Sequence, residues 1–312
     1  MRWWEGLMKA LFFVALTALP MAVQNCSGIP ARPTVCQSSN AQVPASGTQP
    51  PRTEPLAQNT TLRAVGGTWV NGDSYEVSFL GSASGACMVR GSIVGLWPDT
   101  DSWSRWHDRG ALRFSQPNFT VYGVHLANNG DGLKPKDDAG GQAQDFHVEG
   151  SWIQHMHDDC FENDYLHAGV IRDNLFDGCY VMFSSRPWTS GVSGRQNIVA
   201  IDHNIGALEP MRTVFNGSSP GTGGFFKWST RAPGVILTDN VFMAKQVPNH
   251  GTLDPPTGPL LCARNVIVWE GPGAFPSDAA WHERCPDTVV TTTAARYTNA
   301  RNAWLAAHVT GA

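Results

Sequence analysis

The sequence predicts an all-β fold, a right-handed parallel β-helix of about eight coils with a short C-terminal cap. Three observations carry that expectation: a six-residue pattern recurs, its copies start 23 to 36 residues apart, and its fourth position collects asparagine. The pattern is an aliphatic residue, two others, a small or amide residue, one more, and an apolar residue. It runs from Val65 and Val89 through Val121, Val148, Ile171, Ile201 and Leu237 to a weaker copy at Cys262. A globular sheet has no reason to repeat one strand type at this period. In a solenoid each coil buries its apolar face only against the next, and equivalent positions stack about 4.8 Å apart. The fourth positions read Thr68, Ser92, Val124, Ser151, Asn174, Asn204, Asn240 and Asn265. Stacked amides at a corner can bond the turn backbone and one another, which makes these asparagines structural. The competing reading is a β-sandwich whose strands resemble one another by coincidence.

The elements follow in chain order. Arg2 and Lys9 precede an apolar run from Ala10 to Leu19, then Pro20-Met21-Ala22, the order of a secretory signal over residues 1–22. The run is too short to span a bilayer comfortably, which takes about 20 residues, so no stable membrane span is expected after cleavage. Residues 23–58 are rich in Pro, Ser, Gln, Thr and Ala without apolar periodicity and read as a linker. The β-helix occupies 59–285. Residues 286–312, with Tyr297, Trp304 and Val309 among alanines, read as a short helix or packed tail covering the open end.

Composition agrees with many turns and few helices. The 312 residues include 32 glycines and 21 prolines, and 15% are charged against about 25% in an average domain. The net charge of −4 argues against nucleic acid as the main partner. Export to the periplasm or the extracellular space would permit disulfides. Seven cysteines stand at 26, 36, 87, 160, 179, 262 and 285, and proximity favours Cys26 with Cys36 and Cys262 with Cys285.

One region is dense in reactive side chains. It begins at Asn128-Asn-Gly-Asp131-Gly, continues through Lys134 and Lys136 to His155-Met-His157-Asp158-Asp159-Cys160-Phe-Glu162, and ends near Arg186-Pro-Trp188. Asp131 and Asp158 are as far apart as Val121 and Val148, which sets the two carboxylates in equivalent places on adjacent coils. Such stacking costs repulsion and raises one pKa unless a cation intervenes. Two chemistries fit: a general acid and base flanking a glycosidic bond, or a Ca²⁺ site at Asp131, Asp158, Asp159 and Glu162. His155 and His157, two apart, would share a strand face and could form a metal pair. Ser184-Ser185-Arg186 has no nucleophile-elbow context, so serine hydrolase chemistry is not expected.

The run Asn128-Asn-Gly-Asp131-Gly followed by His157-Asp158-Asp159-Cys160 resembles the N-T-D-G and D-D-C signatures of polygalacturonase-type glycoside hydrolases. Over 59–285 the chain resembles the wider pectin-lyase-like superfamily of parallel β-helices. That resemblance implies Asp131, Asp158 and Asp159 as carriers of an inverting hydrolysis of pectin. The family's G-H-G motif is missing, since the next coil reads Asp177-Gly-Cys179-Tyr, and no R-x-K follows.

The functional expectation is an exported polysaccharide-processing enzyme, a monomer acting on an extended glycan that can include uronates. Its catalytic candidates are Asp131, Asp158, Asp159 and Glu162, and its substrate-binding candidates are Lys134, Lys136, His157, Arg186 and Trp188. Hydrolysis requires no cofactor. The alternatives are a lyase with a Lys or Arg base and Ca²⁺, and a non-catalytic glycan-binding or adhesin β-helix.

Overall fold

The computed structural model describes Cys36 and residues 41–72, 74–107, 109–214 and 220–309. The expected signal peptide, Cys26 and the first part of the expected linker lie outside these described residues. The protein is mostly β, with 43% strand against 10% helix. Its strands form long parallel sheets, an arrangement compatible with a parallel β-helix.

The first sheet has nine strands, from Ala41–Pro44 to Leu260–Ala263, each paired with neighbours in sequence order. The second runs from Gly47–Gln49 to Val289–Thr291 and also keeps sequence order. A third row branches from it: β1 (Val77–Phe79), β2 (Gly110–Phe114), β3 (Asp131–Pro135), the C-terminal halves of β4 (Trp152–Glu162) and β5 (Leu175–Ser185), and β6 (Phe226–Trp228). The register stacks like on like. Val121, Val148, Ile171, Ile201 and Leu237 are successive partners in the first sheet, and Leu126, Ile153 and Phe176 in the second. In the third row Leu133, Phe161, Phe183 and Phe226 follow one another. All of these are buried, so the apolar interior is a set of ladders rather than one scattered core.

The corner between the first two sheets explains the pattern. One residue of the corner is left-handed at every copy: the second at Gly66 and Arg90, and the third at Gly123, Gly150, Asp173, His203, Asp239 and Arg264. One left-handed residue turns the chain sharply, and the buried fourth residue closes the turn. The asparagines form a continuous ladder. Asn174, Asn204 and Asn240 each donate Nδ2 to the Oδ1 of the next asparagine, and each such Oδ1 also accepts a backbone N–H. From Val121 onward the register agrees with the sequence pattern. The first two copies are out of phase with Val65 and Val89, because Met88 is the partner of Val121 and Leu62 that of Met88, while Trp69, Ile93 and Leu126 are successive partners in the second sheet. The apolar pairs Ala64-Val65 and Met88-Val89 leave that phase ambiguous in the sequence, whereas in the structure Val65 is exposed and Met88 buried.

Three expectations need correction. The described part of the linker is not a linker, since Ala41–Pro44 and Gly47–Gln49 add parallel strands to both sheets. Backbone ladders, not apolar periodicity, hold them, and the buried Gln116 clamps Leu56 through both its N–H and its carbonyl. Cys36 pairs with Cys87, not Cys26, because the strand following Cys36 lies in the sheet that contains Cys87. The third change concerns the C-terminus. After the short α2 (Asp278–Arg284), Val289–Thr291 extends the second sheet, but α3 (Ala295–His308) lies on that sheet's outer face rather than over the open end. Outward-facing Ile205, Val241 and Val266 provide the apolar surface it covers. Arg301 then anchors it on Asp177 at 2.6 Å. Cys262 and Cys285 are bonded, and so are Cys160 and Cys179 on neighbouring strands β4 and β5. Among the described residues no helix is long and apolar enough to cross a membrane.

Candidate functional site

The acid-rich segment folds onto the outer side of the third row, where β4 carries a bulge. The strand before β3 pairs with β4 as Asn129 with Met156, but β3 pairs with it as Leu133 with Phe161. One extra residue is therefore accommodated between Met156 and Asp159, where the β4–β5 register also shifts. A bulge re-aims the side chains beside it. As a result Asp131 stands beside Asp159, whose N–H reaches its Oδ1 at 3.3 Å, and not in register with Asp158 as the sequence spacing implied. Asp158 turns instead toward His107 of α1 (Trp103–His107), which meets its Oδ2 at 2.8 Å.

The carboxyls are buried and carry unequal charge. One oxygen from each of Asp131, Asp159 and Glu162 lies within 4.8 Å of the others. Lys134 touches Glu162 at 2.5 Å and Asp131 at 3.8 Å. Lys227, in β6, touches Asp159 at 2.6 Å and Asp158 at 3.7 Å. Burial and the neighbouring Glu162 charge hold Asp131 well above the usual carboxylate range, and it takes a hydrogen bond from Tyr75 at 2.7 Å. Burial also pushes Asp159 up to about 7, against the pull of Lys227 and with Asp158 and Glu162 adding to the rise. For Glu162 burial is outweighed by Lys134, and for Asp158 by Lys227 and His107, so both sit below their ordinary values. Asp159 keeps one oxygen, Oδ1, buried without a hydrogen-bond partner. Buried polar atoms are rarely left so.

The cluster opens into a cleft of about 660 Å³. Asp159, Glu162 and Asp164 reach its floor, and Arg113, Lys134, Arg186 and Lys227 line it with positive charge. Trp188, exposed, stands at its edge. Burial and the Glu162 charge raise Asp164 to about 7, although it accepts the Arg186 N–H at 2.6 Å.

Of the residues the sequence singled out, Asp131, Asp158, Asp159, Glu162, Lys134, Arg186 and Trp188 come together here. Two do not. Lys136 is turned away and pairs with Asp138 at 2.8 Å. His157 is almost fully buried and stacks on Trp106 with ring centroids 3.6 Å apart, so it is no cleft contact. Burial holds it neutral, with its pKa down at about 3. Asn128 also serves structure, since its amide donates to the carbonyls of Gly95 and Trp97 and fastens the long turn that carries α1. Sequence reading missed Tyr75, Arg113, Lys227 and the role of His107. Lys227 joins through register alone: it is two strands from Glu162 in the same column, through Ser184.

The three close carboxyls offer oxygens to a cation, but a Ca²⁺ ion takes six to eight oxygen ligands. Here Lys134 and Lys227 already supply the countercharge, and Asp158 points to His107. The donor set fits a lysine-neutralised acid cluster better than a Ca²⁺ cage. No protein-family model matches the chain, and neither a curated protein nor a solved structure matches it.

Proposed function

We propose that this chain is an exported glycoside hydrolase built on a pectin-lyase-like parallel β-helix, acting on an extended polysaccharide laid across the third row. One observation carries the reading. At the floor of the cleft Asp159 is a buried carboxyl with an unpartnered oxygen, next to Glu162, which Lys134 keeps ionised. Two carboxyls pushed to different protonation states beside one groove are what acid–base chemistry on a glycosidic bond needs. Asp159 protonates the leaving oxygen, and Glu162 is the paired carboxylate facing the charge that develops at the anomeric carbon. Asp131 and Tyr75 hold Glu162 and Asp159 in place, and Asp158 fixes His107 and Lys227.

Arg113 and Arg186 along the cleft, beside the two lysines that neutralise its acids, suit a glycan bearing carboxylates. The lyase reading draws less support, since a lysine base must lose its proton near neutrality and both Lys134 and Lys227 are pushed upward by their carboxylates. The disulfides support export, because such bonds persist in oxidising compartments.

The test is a panel of acidic and neutral polysaccharides assayed for new reducing ends and for ultraviolet-absorbing unsaturated products, with and without chelator. Hydrolysis gives reducing ends without unsaturation, and proton NMR of the first-formed product gives its anomer. Unsaturated products would replace this reading with elimination. A glycan bound but left intact after long incubation would replace it with a binding module.

A further inference from the structure

On the side of the bulge away from the cleft, a second group of ligating side chains gathers, which the proposed hydrolysis does not use. Asp99 Oδ1 lies 3.2 Å from His155 Nε2 and 3.6 Å from His157 Nε2, and the three atoms are all within 4.8 Å of one another. A tetrahedral zinc with ligands at about 2.0–2.1 Å sets its ligand atoms about 3.3 Å apart. The two Asp99 distances bracket that edge. The geometry points to a Zn²⁺ site formed by Asp99, His155 and His157, with a fourth position left for water.

Two further features show construction around His155 rather than a chance surface contact. The first is the ring's other nitrogen. His155 Nδ1 meets Glu209 Oε2 at 3.0 Å, and a carboxylate backing a ligating histidine in this way fixes its tautomer and orientation. The second is the backbone: His155 is left-handed at φ 53°, a conformation uncommon for residues with a side chain. His157 has no such partner on Nδ1 among the described residues; stacking on Trp106 holds its ring, and an ion would take Nε2 from its 3.3 Å contact with Asn128 Oδ1. Two imidazoles and one carboxylate also make a donor set suited to zinc rather than to calcium or magnesium.

Asp99 belongs to the long turn that leads into α1, and α1 supplies His107 to the cleft. A bound ion would therefore tie this turn to β4 on one side while His107 and Asp158 tie it on the other.

The test uses the full purified chain, dialysed against a chelator and titrated with Zn²⁺ alone by calorimetry and with Co²⁺ alone by visible absorption. One equivalent is expected to bind, with a Kd on the order of 10⁻⁶ M or tighter and a tetrahedral Co²⁺ spectrum. Asp99→Asn, on an exposed loop, and His155→Asn, which keeps a residue tolerant of left-handed backbone, should abolish binding with unchanged circular dichroism. Glu209→Gln should weaken it by about 10–100-fold. Glu162→Gln should leave it intact, which separates this site from the acid cluster whatever that variant does to glycan cleavage. Absence of stoichiometric binding, binding that survives His155→Asn, or binding lost in Glu162→Gln instead would each overturn the assignment.

Discussion

Two buried polar columns run up this molecule, and they solve the same problem in opposite ways. At the first corner Asn174, Asn204, Asn240 and Asn265 are uncharged, and each passes hydrogen bonds to a neighbouring amide or backbone group. In the third row Asp131, Asp159 and Glu162 are charged or charge-sharing groups neutralised by two lysines, with one oxygen of Asp159 left over. A satisfied neutral ladder stabilises and has nothing left to offer a ligand. A crowded acid cluster costs stability, since taking each charge out of water is expensive even when it is paired, and it retains protons and lone pairs that a substrate can use. The comparison separates buried polarity that the fold uses up from buried polarity that the proposed hydrolysis would draw on.

The sharpest break of that comparison is Glu162→Gln. It preserves shape and removes only the charge facing the bond to be cleaved, so turnover should fall by about 10²–10⁴-fold while the protein stays folded by circular dichroism. Asp159→Asn should behave alike. Turnover within a few-fold of wild type would move the acid cluster to the structural side of the comparison. The complementary change is Asn204→Leu. It orphans the Ile171 carbonyl and the Asn174 N–H, and takes from Asn240 Oδ1 one of its two donors. The expected cost is on the order of 3–5 kcal/mol, since each buried unsatisfied group costs about 1–3 kcal/mol. Urea denaturation measures it, and activity per folded molecule should be unchanged.

The difference also explains how much could be read in advance. The ladder was legible because one residue type returns at one place in a short pattern, and the Asn-bearing copies from Ile171 to Cys262 keep register throughout. The acids and Lys134 were legible because they crowd one stretch of chain. Their partners were not. Tyr75, Arg113 and Lys227 come from strands far away in sequence and join the cluster only once register is known. The bulge near His157 and Asp158 is a single-residue event with no sequence mark, yet it decides that Asp159 rather than Asp158 stands beside Asp131. Proximity in sequence found Cys262 with Cys285 but passed over Cys160 with Cys179, whose bond joins adjacent strands.

A smaller effect tests whether the acids weaken the fold. Asp164 is raised to about 7 when folded, above the about 3.9 of an unfolded aspartate. The unfolded chain therefore gives up this proton first as pH rises. Asp164 costs nothing at pH 3, takes stability away progressively between about pH 4 and 7, and withholds it fully above. Asp164→Asn keeps an oxygen for the Arg186 N–H and removes that dependence. The variant should match wild type in acid and exceed it at pH 8 by on the order of 1–3 kcal/mol. Urea midpoints at pH 4 and pH 8 check this, and a variant less stable than wild type at pH 8 would show that the carboxylate is paid for by contacts Asn cannot make.

The smallest effect belongs to the edge of the cleft. Trp188 is 69% exposed, and its ring lies 6.5 Å from that of Tyr165, tilted by 14°. A face so exposed adds little to folding, and surface substitutions of this kind usually stay within about 0.5 kcal/mol. In the proposed function its apolar ring, at the edge of the cleft, would stack on a sugar. Trp188→Ala should leave the melting temperature and kcat unchanged and raise KM several-fold, because it removes binding that ground state and transition state share. An unchanged KM across the polysaccharide panel would remove Trp188 from the glycan path and confine recognition to the charged floor. A fall in kcat would instead draw the edge of the cleft into the chemistry and blur the division between the two columns.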